Sequence, residues 1–318
     1  MVLPSEAAAM RETRPIERRT PLARSSRAGF VLVASGLTGC SKGVLDPAGP
    51  IAADEKLILF NALAIMLAIV VPTIIGTLAF AWWFREGNTR ARYRPEFAYS
   101  GRIEMLVWSI PILTIIFLGG VTWIGSHRLD PFKPLPATAL GKPMEVQVVS
   151  LDWKWLFIYP EQGIASVNRL VVPAGRPVHF SLTSASVMNS FFVPQLGSQI
   201  YTMNGMVTQL SLQADRPGSY FGQSVHFSGD GFADMNFMTD AVSPAQFAAW
   251  VAGARGMGRV LDARNYAQLA RQSTKVRPYT YRAVLPVLFD AVATQRLKPA
   301  AGPIKGRGGP AVSPGDES

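Results

Sequence analysis

The chain has one cysteine, Cys40, in 318 residues. An internal disulfide is therefore impossible, as is a metal site built from several thiolates. Charge is also scarce: Asp, Glu, Lys and Arg make up 16% of the chain, against about 25% in an ordinary soluble domain. Hydrophobic residues reach 48% and gather in long blocks, the pattern of lipid contact rather than of a soluble enzyme. Acidic residues are the scarcer sign, 21 against 31 basic ones, for a net charge of +10. A basic excess suits nucleic acid when it forms one face. Here it falls into three patches: Arg11 to Arg27, the loop holding Arg85, Arg90, Arg92, Arg94 and Arg102, and a late stretch from Arg255 to Arg307. Patches parted by apolar blocks are membrane topology signals, so nucleic acid is not the expected partner. Aromatics are plentiful, with 17 Phe, 7 Trp and 8 Tyr, which excludes disorder over most of the chain.

Residues 1–27 are basic and polar, and residues 28–39 (AGFVLVASGLTG) form a short apolar run. A basic region followed by a short apolar one reads as a secretory signal. The run ends Leu37-Thr38-Gly39-Cys40, which resembles the bacterial lipoprotein processing box. The expectation is a signal peptide over 1–39 and a lipid on the Cys40 thiol, each buried methylene adding about 0.8 kcal/mol of membrane affinity. A buried, inert thiol in a first helix is the alternative, and Met10 offers a second start.

From Leu57 to Trp83 run 27 residues without a charge, and from Met105 to Ser126 another 22. Each exceeds the roughly 20 residues that cross about 30 Å of hydrocarbon. Trp82, Trp83, Trp108 and Trp123 fall near the ends, where aromatic belts form. Pro72 and Pro111 are tolerated where neighbours satisfy the freed carbonyls. The loop 84–104 holds five arginines against Glu86, Glu96 and Glu104, which makes it cytoplasmic by the positive-inside rule. A linker over 40–56 and everything after residue 127 then lie outside, in the periplasm of a bacterial inner membrane.

After Pro134 the pattern changes to short alternating segments: Val146–Val149, Leu151–Tyr159, Arg169–Val172, Val178–Leu182, Val207–Gln213, Ser219–Phe227 and Phe232–Met238. Short strands punctuated by Gly and Pro predict a β-sandwich or barrel. Helices are expected from Pro244 through Ala252 and near Asp262–Arg271, within a C-terminal helical region 243–298. The Gly/Pro/Lys/Ser composition of 299–318 predicts a disordered tail. The fold class expected is a membrane-anchored α+β chain: a two-helix transmembrane hairpin, a periplasmic β-sandwich over 127–242 and short C-terminal helices.

With those residues in view, the chain resembles subunit II of the heme–copper terminal oxidases. Three stretches carry the likeness: Asp152-Trp153-Lys154-Trp155, Ser186 to Gly197, and Phe221 through Met235. They look like the aromatic strand, the stretch with the upstream histidine ligand and the principal copper loop of that family's cupredoxin domain. In the cytochrome c-oxidising members the loop reads Cys-x-Glu-x-Cys-x3-His-x2-Met. Two bridging thiolates hold a copper pair, soft sulfur suiting Cu(I). Here Asn189 stands at the upstream His position and Ser224 and Ser228 at the Cys positions. His226 replaces the Glu, Phe232 the second His, and Met235 alone is kept. No metal is expected on this chain. His226 and Met235 by themselves read as packing or surface residues, as does His179 on a strand; His127 falls at the end of the second helix.

Loss of the copper ligands with retention of the fold matches the quinol-oxidase branch, of the cytochrome bo type, and Gln162 to Ala165 looks like that branch too. The resemblance implies a subunit of a proton-pumping ubiquinol:oxygen oxidoreductase with no catalytic group of its own. Heme and copper would lie in partner subunit I, subunits III and IV would be further partners, and ubiquinol would be the substrate of the complex. Glu104, at the junction of loop and second helix, is a candidate for proton capture; a helix-start carboxylate favoured by the macrodipole is the plainer reading. Trp153 and Trp155 are expected in the core and at the interface with subunit I. A cytochrome c oxidase subunit and a membrane-tethered binding or assembly module remain as alternatives.

Overall fold

A computed structural model describes residues 43–92 and 94–299. The expected signal peptide, Cys40 and the tail beyond residue 299 lie outside the described residues. Two long apolar helices come first, α1 (Pro50–Trp83) and α2 (Gly101–Arg128), each long and apolar enough to cross a membrane. Their side chains are mostly exposed, which suits surfaces made for lipid or another apolar subunit. The two helices pack where Gly125 leaves room for Ile58: a Cβ on Gly125 would lie 2.8 Å from Ile58 Cδ1. Arg128 pairs with Asp54 at 3.2 Å.

Both helices outrun the apolar spans. α1 starts at Pro50 rather than Leu57, and at ~1.5 Å per residue it is ~51 Å long, well beyond the hydrocarbon core. Pro50 occupies the first turn, where a missing N–H costs nothing. The segment expected as a linker is instead fixed to the sandwich. Ala48 N–H donates to Gln195 O at 2.7 Å and Asp215 N–H to Ala48 O at 2.8 Å. Arg216 pairs with Asp46 at 3.0 Å, and Ser198 Oγ donates to Glu55. Gly49 passes so close that a Cβ there would sit 1.9 Å from the Gln213 carbonyl oxygen.

The sandwich has two sheets. The strands are β1 (Met144–Leu151), β2 (Lys154–Tyr159), β3 (Ile164–Val167), β4 (Arg169–Pro173), β5 (Val178–Ser184), β6 (Asn189–Phe192), β7 (Ile200–Thr202), β8 (Thr208–Leu212), β9 (Gly218–Ser224), β10 (Asn236–Val242), β11 (Val260–Leu261), β12 (Tyr279–Tyr281) and β13 (Ala283–Val284). One sheet runs β12-β3-β2-β1-β5-β8 and the other β4-β10-β9-β6-β7, while β11 and β13 pair separately. β1–β5 and β4–β10 are parallel pairs. The segment Leu151–Tyr159 is not one strand: the chain turns at Asp152-Trp153, and Leu151 pairs with Lys154 across the resulting hairpin. Nor is Phe232–Met238 one strand, because Phe232–Asp234 forms a 3-10 turn and β10 begins at Asn236.

β2 is buried at every position, and alternation assigns its residues to two cores. Trp155, Phe157 and Tyr159 face the other sheet, with Phe180, Phe191 and Phe237. Leu156 and Ile158 face outward, under a layer made by the C-terminal region. That layer holds α4 (Ala263–Leu269) and α5 (Leu288–Ala293), while α3 (Pro244–Gly256) packs Phe247, Val251 and Ala254 against the inter-sheet core; α5 falls inside the helical region expected over 243–298, where the sequence reading places no separate helix. Ser243 and Gln246 close a capping box on α3, and Asp262 caps α4 through Asn265 N–H. Tyr266, Leu269, Leu288, Phe289 and Val292 cover Leu156, Ile158 and Val167.

Candidate functional site

The positions matched to the family's copper ligands meet at one end of the second sheet. Asn189 opens β6, Ser224 closes β9, and these strands pair through Phe191 and Ser224. Ser224 Oγ lies 3.3 Å from Asn189 Oδ1 and 3.3 Å from His226 O. Asn189 Nδ2 donates to Val187 O at 3.1 Å. Beyond the turn, Ser228 Oγ is 4.0 Å from Met235 Sδ, and Ser224 N–H donates to Met235 O at 3.0 Å. Asn189, Ser224, Ser228 and Met235 are all buried. His226 is half-buried, its ring edge-on to Tyr201 at 5.8 Å, and Phe232 packs against the exposed Phe227 at 5.6 Å.

What gathers here is two hydroxyls, a carboxamide and a thioether. The hydroxyls are satisfied by neighbours within the loop, and a serine hydroxyl stays protonated where a thiol ionises. Soft sulfur, not neutral oxygen, is what holds Cu(I).

The two tryptophans are closed off inside this chain. Trp153 is 1% exposed, its Nε1 donates to Ser228 O at 2.9 Å, and its ring is roofed by Gly231, where a Cβ would come within 2.3 Å. Trp155 is fully buried, edge-on to Phe191 at 5.5 Å and Phe237 at 5.7 Å. Neither indole has surface left for a second subunit, which corrects the interface part of the expectation. Glycine at 231 and the aromatic filling between the sheets account for it.

The other candidates lie apart. Glu104 is exposed in the first turn of α2. His127 lies at the far end of α2, Nδ1 2.9 Å from Trp123 O. His179 on β5 lies 3.0 Å from Ser211 Oγ on the neighbouring β8. Cys40 is outside the described residues.

One constellation escaped the sequence reading. Lys154 is 1% exposed; its Nζ donates to Asp152 O at 3.0 Å, Arg271 O at 2.6 Å and Ser273 Oγ at 2.6 Å. Burial pushes the ammonium down to about 8, with the Asp152 carboxylate opposing the shift. Asp152 in turn accepts from Ser186 Oγ and from Gln272 Nε2. Asn168, with φ of 53°, receives Trp155 N–H at 2.8 Å and donates to Val276 O at 2.8 Å. Together these groups lock the C-terminal layer to the aromatic hairpin. A lysine inside an apolar strand was the available signal.

Comparison with known proteins follows the same outline. The family profile described as "Cytochrome C oxidase subunit II, periplasmic domain" matches residues 145–242. The chain is 48% identical over 274 residues to "Ubiquinol oxidase subunit 2" of Acetobacter aceti, covering 86% of this chain and 89% of that one. It is 46% identical over 259 residues to "Cytochrome bo(3) ubiquinol oxidase subunit 2" of Pseudomonas aeruginosa, covering 81% and 78%. Among solved structures, the periplasmic domain of subunit II of cytochrome oxidase from Bradyrhizobium japonicum aligns over 39% of this chain and 98% of its own, with 24% identity and a TM-score of 0.36.

Proposed function

The chain belongs to the ubiquinol oxidase subunit 2 family, and from that premise we propose that it is the copper-free docking subunit of a proton-pumping quinol:oxygen oxidoreductase. Its role as subunit II of a quinol oxidase, associated with subunit I, follows from the family. The carrying observation for the finer reading is the donor set: Asn189, Ser224 and Ser228 stand at ligand positions and spend their polar atoms on one another, the backbone and Met235. A copper pair held by bridging thiolates does not fit these residues. Electrons from membrane-soluble quinol would pass directly to heme and copper in subunit I, without a relay on this chain. The arginines of residues 84–104 support a cytoplasmic loop, with the sandwich on the periplasmic side and Cys40 carrying lipid there. Subunits III and IV complete the proposed assembly.

Copper analysis of the oxidase purified through this chain tests the docking reading. Copper should match the heme-bearing subunit alone. An additional pair carried by this chain would contradict it.

Glu104 is proposed as a proton-collecting group at the mouth of a pathway into subunit I, because it is exposed at the membrane boundary in the first turn of α2. Glu104→Gln should slow turnover while leaving assembly intact. Unchanged turnover in an intact complex would reduce Glu104 to a helix-start carboxylate.

A further inference from the structure

A cavity of about 410 Å³ opens between the aromatic hairpin and the C-terminal layer. Lys154 and Arg259 line it, and no carboxylate does. The remaining polar lining includes Gln268, Ser273, Tyr279 and Tyr281. The Lys154 ammonium spends its donors on Asp152 O, Arg271 O and Ser273 Oγ, so it lends the cavity positive potential rather than a free N–H. Ser273 accepts from that ammonium and keeps its own O–H to donate. The Tyr279 and Tyr281 hydroxyls lie 3.2 Å apart; one donates to the other, which leaves one O–H for a ligand.

The exposed charges on this layer are mainly basic, although the Asp152 carboxylate lies beside Lys154. Arg264, Arg271, Lys275, Arg277 and Arg282 are exposed on the same layer. The ion pairs among the described residues use Arg128, Arg169, Arg176 and Arg216, and none uses Arg259 or these five. Unneutralised guanidinium at a pocket edge, hydroxyl donors inside and a buried ammonium behind them suit an anion with several acceptor oxygens.

We propose that this cavity binds a phosphate ester, held by Arg259 and by the hydroxyls of Ser273 and the Tyr279–Tyr281 pair. The ester is either a free small molecule or the headgroup of an anionic phospholipid. The intact oxidase, reconstituted in nanodiscs and phosphate-free buffer, separates the two by calorimetric titration with glycerol 3-phosphate. Saturable binding in phosphatidylcholine discs, weakened at least about tenfold by Arg259→Gln and by less in Arg259→Lys, supports a free ester. Ester binding to the unsubstituted protein that is lost when phosphatidylglycerol replaces part of the phosphatidylcholine supports the headgroup instead. Tyr279→Phe should weaken binding in either case. No saturable binding at millimolar ester in either disc, or binding that Arg259→Gln leaves unchanged, overturns the proposal.

Discussion

At the residue scale, Gly231 and Lys154 show how closely the aromatic hairpin is held. A Cβ on Gly231 would lie 2.3–2.5 Å from atoms of the Trp153 ring, and the indole is fixed by its bond to Ser228 O. Gly231→Ala should therefore cost about 1–3 kcal/mol as overpacking, read as a lowered unfolding midpoint and a changed Trp fluorescence. Lys154 makes a pH prediction. Its folded value, about 8, lies below the ordinary 10.5. Between those values the unfolded chain binds more protons, so this group's contribution raises stability with rising pH. The buried phenols of Tyr159 and Tyr266 are pushed above their ordinary range by burial and oppose this only above about pH 10. Thermal unfolding in detergent should show the midpoint contribution rising from pH 8 to 10. In Lys154→Met that rise should vanish, with a lower midpoint at neutral pH because the carbonyls of Asp152 and Arg271 lose their donor. A rise of equal size in the variant would assign it to other groups.

At the element scale, the first turns of α1 and the C-terminal layer belong to the sandwich as much as its strands do. Gly49→Ala would drive a methyl into the Gln213 carbonyl and should loosen residues 43–56, seen as faster amide exchange there with the strand core unchanged. Leu156→Ala removes a side chain sealed under the C-terminal layer and should cost about 2–5 kcal/mol, measured by denaturant unfolding. Much of this architecture was legible in the sequence. The apolar spans marked the two helices, and alternation with turn residues marked most strands. The Trp-Lys-Trp run hid its hairpin because β2 is buried on both faces, so its apolar residues are continuous rather than alternating. Short strands such as β3, β6 and β7 carry too few residues to show a period, and α5 is defined by what it covers rather than by its length. At the site, the positions compared with the family's copper ligands came from the resemblance, carried by the stretches Ser186 to Gly197 and Phe221 through Met235. Their mutual hydrogen bonds, and the Lys154 lock, depend on contacts between residues distant in sequence.

At the scale of the whole molecule, two apolar helices precede a β-sandwich in which Asn189, Ser224, Ser228 and Met235 lie against one another. The helix α1 is longer than a bilayer's hydrocarbon core; its first turns are bonded to the sandwich through Glu55, and the segment leading into it through Asp46 and Ala48. That junction fits the proposed docking role, because it would set the sandwich over a partner subunit without a flexible tether. On the proposed function, quinol and not a soluble cytochrome feeds the complex. The most direct measurement is oxygen uptake by the mildly solubilised complex purified through this chain, with ubiquinol compared against reduced cytochrome c. Uptake with ubiquinol alone is the predicted result. Uptake driven by cytochrome c would contradict the account.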